Sequence, residues 1–110
     1  MLPREQRLTR KEFIPVFKLG KRLSTGLFSV IYKKSKNYRP RFSVVVSKKI
    51  TKSAVMRHKI RRWVYEATRS FLKNKQNYSF DVIFITQPQI IKNNFKDIEE
   101  SVEKVLNELN

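Results

Sequence analysis

The stretch Lys52–Glu66, reading Lys-Ser-Ala-Val-Met-Arg-His-Lys-Ile-Arg-Arg-Trp-Val-Tyr-Glu, separates into two faces when its residues are placed about 100° apart on a helix. Arg57, His58, Arg61, Arg62, Tyr65 and the later Arg69 fall on one arc, and Met56, Ile60, Trp63, Val64, Ala67 and Phe71 on the opposite one. The apolar arc needs a core, so the rest of the chain has to supply a layer for this helix to pack on. The other arc presents four guanidinium groups and two aromatic rings. That is a surface for a polyanion, and RNA, with its exposed or bent backbone, fits it best.

The charge balance points the same way. The 110 residues contain 25 Lys and Arg against 9 Asp and Glu, a formal net charge of +16. Such an excess repels itself and makes sense when an anionic partner is present. It is also uneven. Asp97, Glu99, Glu100, Glu103 and Glu108 are offset only by Lys104 within residues 97–110, so residues 1–96 hold 24 of the 25 bases and 4 of the 9 acids. An RNA is expected to meet the body of the domain and to avoid the C-terminal segment.

Several chemistries are excluded or disfavoured. There is no cysteine, hence no disulfide, no Cys-based zinc site and no thiol catalysis. His58 is the only histidine, which rules out a two-histidine metal site, and a lone histidine without a partner carboxylate is a poor nuclease centre. Gly20 and Gly26, the only glycines, sit in no phosphate-loop motif. No apolar run approaches membrane-spanning length and the first residues lack a signal-peptide core, so a soluble, cytoplasmic protein is expected.

The chain reads as one RNA-binding domain over 1–110. Residues 1–8 form a short basic arm, extended because Pro3 disfavours a helix. Thr9-Arg-Lys-Glu12 is a capping box, with Leu8 and Phe13 placed as a hydrophobic staple, and opens a helix to about Leu19 that Gly20 stops. Pro15 predicts a kink or a short 3-10 start within it. Leu27–Tyr32 and Arg41–Ser47 are β-prone, joined by a polar hairpin connection over 33–40, and 21–26 is a short strand or irregular. Ser53 is the expected N-cap of the basic helix, which should end near 73–77. Phe80–Ile85 is apolar enough for a central strand buried on both faces, ended by Pro88. Phe95, Ile98, Val102, Val105, Leu106 and Leu109 form the stripe of an acidic last helix over 94–109. The order α-β-β-(β)-α-β-α gives the α+β class, a two-layer α/β sandwich.

One segment is more specific than these patterns. Phe42 to Lys49, continuing through Ala54-Val55-Met-Arg57-His58-Lys-Ile-Arg61-Arg62 to Glu66, resembles the signature of the bacterial ribonuclease P protein subunit. In that family a strand ending Ser-Lys-Lys leads into Ala-Val-x-Arg-Asn-x-x-Lys-Arg-x-x-Arg-Glu. The opening Arg7-Leu8, Phe13, Val16-Phe17 and Gly20-Lys21, and the Phe80–Ile85 strand followed by an acidic helix, are similar too, so nearly the whole chain is covered in order. The family's Asn is His58 here, its Lys is Arg61 and its later Arg is Tyr65.

The resemblance implies an αβββαβα fold like the second domain of ribosomal protein S5, with a left-handed βαβ crossover through the basic helix. It implies the accessory subunit of an endoribonuclease that removes the 5′ leader of precursor tRNA. The RNA subunit and the Mg²⁺ it mainly binds would do the chemistry, with no organic cofactor and no catalytic residue or dedicated metal site in the protein. Expected partners are the catalytic RNA and precursor tRNA, with neither membrane nor DNA. RNA contact is expected from Lys48, Lys49, Lys52, Arg57, His58, Arg61, Arg62, Tyr65 and Arg69. Leader contact is expected from Phe13, Phe17 and, less directly, Tyr32, since the family's strand aromatic aligns best with Ile31. The leader would lie in a cleft between the basic helix, the first helix and the sheet. The competing readings are a ribosomal or other structural RNA-binding protein, and a basic amphipathic helix on an anionic membrane.

Overall fold

Local signals start each helix where the sequence places them. In α1 (Arg10–Leu19) the Thr9 side chain accepts from the Glu12 amide while the Glu12 carboxylate accepts from the Thr9 amide, so the capping box closes both ways. The computed structural model describes residues 2–35, 39–73, 75 and 78–109. The helix runs unbroken through Pro15, with no 3-10 segment at its start. The Ser53 hydroxyl accepts from the Met56 amide and opens α2 (Ala54–Leu72). Asn94 and Asp97 form a second capping box for α3 (Phe95–Glu108).

The strands are β1 (Lys21–Ser24), β2 (Phe28–Lys34), β3 (Arg41–Val45) and β4 (Phe80–Thr86), in sheet order β1-β2-β4-β3. This corrects one expectation. β2 and β3 are not a hairpin, because β4 lies between them, antiparallel to β2 and parallel to β3. The connection expected over 33–40 includes residues 36–38, outside the described residues. β4 is the central strand that its apolar sequence predicts, and α2 is the crossover between the parallel neighbours β3 and β4. The helix and strand order is α1-β1-β2-β3-α2-β4-α3. Two 3-10 turns, Arg4–Gln6 and Pro88–Lys92, add to it.

Period-2 alternation sorts the sheet into two faces. Phe28, Val30, Phe42, Val44, Val82 and Phe84 point to one side, where Ile60, Val64 and Ala67 of α2 and Ile98, Val102, Val105 and Leu106 of α3 complete the main core. These are the two layers of the sandwich. Ile31 and Ile83 point the other way and meet Val16, with Leu8 and Phe13 alongside, so α1 lies alone across the far face.

The N-terminal arm is more structured than its sequence implies. Leu2 is buried in the main core, Arg4–Gln6 is a 3-10 turn, and Leu8 packs under α1 on the other face. Between them Arg7 forms a parallel bridge with Phe42, and the Leu8 amide donates to the Phe42 carbonyl at 2.8 Å. The arm therefore wraps the free edge of β3, passing from one face of the sheet to the other, and it shields backbone groups that an edge strand would otherwise expose.

Gly20 stops α1 for a reason the sequence does not carry. Its φ is −72°, which any residue can adopt. A Cβ there would lie 2.6 Å from the Val16 carbonyl oxygen, 2.8 Å from Ile31 Cγ2 and 2.9 Å from the Tyr32 carbonyl oxygen. Gly20→Ala should therefore cost about 1–3 kcal/mol of stability through overpacking, read as a lowered urea midpoint at unchanged m-value. A midpoint equal to that of the parent protein would show that β2 moves aside freely.

Candidate RNA interface

Two sequence-predicted surfaces have to be located, the basic arc of α2 and the aromatic pair of α1. On α2 the exposed arc is rotated relative to the expected one. His58, Arg62 and Arg69 are exposed, and so are Lys48, Lys49 and Lys52 in the approach to the helix. Lys59 joins them, its ammonium 4.7 Å from the centre of the Trp63 ring. Ala54, Val55, His58, Lys59 and Arg62 line one open groove. Lys59 was not singled out from the sequence, although its place on the wheel, about 60° beyond Arg62 and at the border of the apolar arc, could have indicated it.

The other flank of the arc is covered. Arg57 and Arg61 are half-buried, and Arg57 donates one guanidinium nitrogen to the Thr51 carbonyl at 3.0 Å, bracing the turn that leads into the helix. Tyr65 is buried within the main core. Burial pushes its phenol above the usual range, while the Val44 backbone and then the charges of Arg61 and Arg7 pull it down. The expected stacking face of Tyr65 is thus unavailable to a base. The reason is β3, which packs against α2 beside Tyr65 and is invisible to a helical projection.

On α1 the rings of Phe13 and Phe17 stack, with centroids 5.8 Å apart and planes 15° from parallel. Phe13 is half-buried against Val16, Ile31 and Ile83, whereas Phe17 is 41% exposed. The Arg22 guanidinium of β1 lies 5.4 Å from the Phe17 ring centre. Tyr32 is corrected. It points to the opposite side of the sheet and packs edge-on to Phe80 in the main core, so it does not join the Phe13–Phe17 pair. Since α1 and α2 lie on opposite faces of the sheet, they do not together enclose the expected cleft.

One cluster of charges was missed altogether. Asp81 is buried in β4 and receives two bonds from Arg41 of β3, Nε to Oδ1 at 2.9 Å and Nη2 to Oδ2 at 2.8 Å. The remaining Arg41 nitrogen, Nη1, is bonded to the Glu12 carboxylate of α1. This triad ties the first turn of α1 to both strands. The available signal was a lone acid inside an otherwise apolar strand, which needs a cation when buried.

Among the described residues no cluster of three or more His, Cys, Asp or Glu could hold a metal ion, and no helix is long and apolar enough to cross a membrane. Glu12 and Asp81, the carboxylates beside the sheet, are engaged by Arg41.

The ribonuclease P family model matches residues 2–110. The chain belongs to the ribonuclease P family. It is 33% identical over 96 residues to the ribonuclease P protein component of Clostridium botulinum (strain 657 / Type Ba4), covering 87% of this chain and 86% of that one. It is 30% identical over 95 residues to the component of Clostridioides difficile (strain 630), covering 86% and 82%. The solved RNase P protein from Thermotoga maritima superimposes with a TM-score of 0.84 at 28% identity, covering 94% of this chain and 97% of that one. The fold of that ribonuclease P protein therefore accounts for 94% of this chain.

Proposed function

We propose that the chain is the protein subunit of a ribonuclease P ribonucleoprotein and assists endonucleolytic removal of the 5′ leader from precursor tRNA. The exposed cations of α2 and its approach, Lys48, Lys49, Lys52, His58, Lys59, Arg62 and Arg69, bind the phosphates of the RNA subunit. The α1 face binds the single-stranded leader, with Phe17 as the aromatic that a base can reach. The phosphodiester chemistry belongs to the RNA and to the Mg²⁺ it holds. The protein's share is charge neutralisation and positioning.

The observation that carries this reading is the combination of a family match along the chain with the exposed cations of α2 and its approach. A structural RNA-binding protein would share the charge but would not depend on ribonuclease P RNA. Reconstitution separates the two. Adding the protein to a bacterial ribonuclease P RNA at low Mg²⁺ should restore cleavage of precursor tRNA, because the protein replaces part of the cation requirement. No stimulation, together with tight binding to ribosomal RNA, would favour the structural reading.

A further inference from the structure

α1 meets the sheet along one strip of its surface. Glu12, Val16 and the C-cap Gly20 recur every four residues, so they stand above one another on one side of the helix. Each touches the sheet. Gly20 lies close against Ile31 and Tyr32, Val16 packs on Ile31 and Ile83, and Glu12 is bonded to Arg41. Phe13 and Phe17 each follow a member of this strip by one residue, which puts them about 100° around the helix on one flank. Lys11 and Pro15 each precede a member by one residue and lie on the other flank.

The two flanks are not supported alike. On the Phe13 side, Leu8, Val45 and Ile85 pack around the same small cluster. On the Lys11 side a cavity opens between α1 and the sheet, lined by Lys11, Pro15 and Lys33 together with Glu12, Arg41 and Asp81. A void supplies no packing contacts, so apolar packing alone leaves α1 free to roll about Val16 toward the cavity. The ion link stands at the border of that space. Asp81 holds Arg41 by two bonds, and this aims the remaining nitrogen, Nη1, at Glu12. Glu12 is fixed from its own side, because it also accepts from the Thr9 amide at 2.8 Å. A roll of α1 has to break one of these bonds, and it carries the aromatic pair with it.

We propose that Glu12 and Arg41 are positioning residues for the tRNA leader: their ion pair holds α1 against rolling and so sets the height of Phe17 above the sheet. This role rests on the leader-binding reading above and acts through Phe17. Neither Glu12 nor Arg41 needs to touch the leader. Their contribution is preorganisation, since the ring stands in its binding place before the RNA arrives.

Glu12→Gln isolates the role. Glutamine has a single carbonyl oxygen, and once this accepts from the Thr9 amide, the NH₂ group left toward Arg41 sets a donor against a donor. The cap survives and the link is lost. Holoenzymes carrying Glu12→Gln, Phe17→Ala or both are titrated with precursor tRNA and with mature tRNA, and the Tm of each protein is recorded. Glu12→Gln should lower affinity for precursor tRNA by roughly three- to tenfold and leave affinity for mature tRNA unchanged, in a protein whose Tm stays close to the parent value. Added to Phe17→Ala it should cost nothing further, because the ring it positions is gone. Unchanged precursor affinity for Glu12→Gln overturns the proposal, and so do losses that multiply in the double variant or that fall equally on mature tRNA. If the parent holoenzyme itself binds precursor and mature tRNA equally, it is the leader-binding reading that fails.

Discussion

Asp81→Ala is expected to lower the stability of the protein by about 3–5 kcal/mol, the cost of leaving a buried cation without its partner. The magnitude follows from the geometry. Asp81 accepts both of its bonds from one guanidinium, at 2.9 and 2.8 Å, and the Asp81 and Arg41 side chains are only 6% and 15% exposed. Glu12 cannot take over, because it sits at the more exposed end of the triad, at 32%, and also serves as the N3 residue of the α1 capping box. Glu12→Gln supplies the contrast. Glutamine retains the cap and loses the charge, so its cost should stay near 1 kcal/mol or below. Chemical denaturation at neutral pH reads both. Equal, small losses for the two variants would mean that Arg41 finds water once Asp81 is gone, and that the triad is not what anchors α1 to the sheet.

That triad also marks where sequence reasoning stops. Caps are local, and Thr9, Glu12 and Ser53 were legible because each hydrogen bond spans three residues. Buried stripes were legible for the same reason, and α3 follows its apolar spacing closely. Strand order was not. A polar stretch between two β-prone runs reads as a hairpin, while the insertion of β4 between β2 and β3 depends on contacts forty residues apart, of the kind made by Arg41 and Asp81. The basic arc was legible as an arc but not in its orientation. A helical wheel knows one packing partner, and α2 has more: the sheet beneath it, α3 beside it, and β3 on the flank of Tyr65. Leu2 and Arg7 belong to the arm along β3, and nothing in a short basic arm predicts that it wraps a strand. Tyr32 fell on the wrong face by a single residue, since alternation in β2 sends Ile31 toward α1 and Tyr32 toward α2 and α3.

Phe17→Ala should weaken binding of leader-bearing precursor tRNA to the holoenzyme by about 1–3 kcal/mol, the usual worth of one base stacked on an aromatic ring, and leave mature tRNA nearly unaffected. The prediction singles out Phe17 over Phe13 because exposure separates them. Phe13 is committed to the small cluster around Val16, Ile31 and Ile83, so truncating it should cost stability first. Phe17 is 41% exposed and is held upright from two sides, by the Phe13 ring and by the Arg22 guanidinium. A base arriving at Phe17 therefore meets an oriented ring with an exposed cation beside it. The ordering cost of binding is reduced because the ring is already placed. Protein stability should change little, since few buried contacts are lost. Measuring affinities for precursor and mature tRNA with the same variant holoenzyme isolates the leader. Equal losses for both would move Phe17 from leader contact to packing, and would leave α1 with a structural role only.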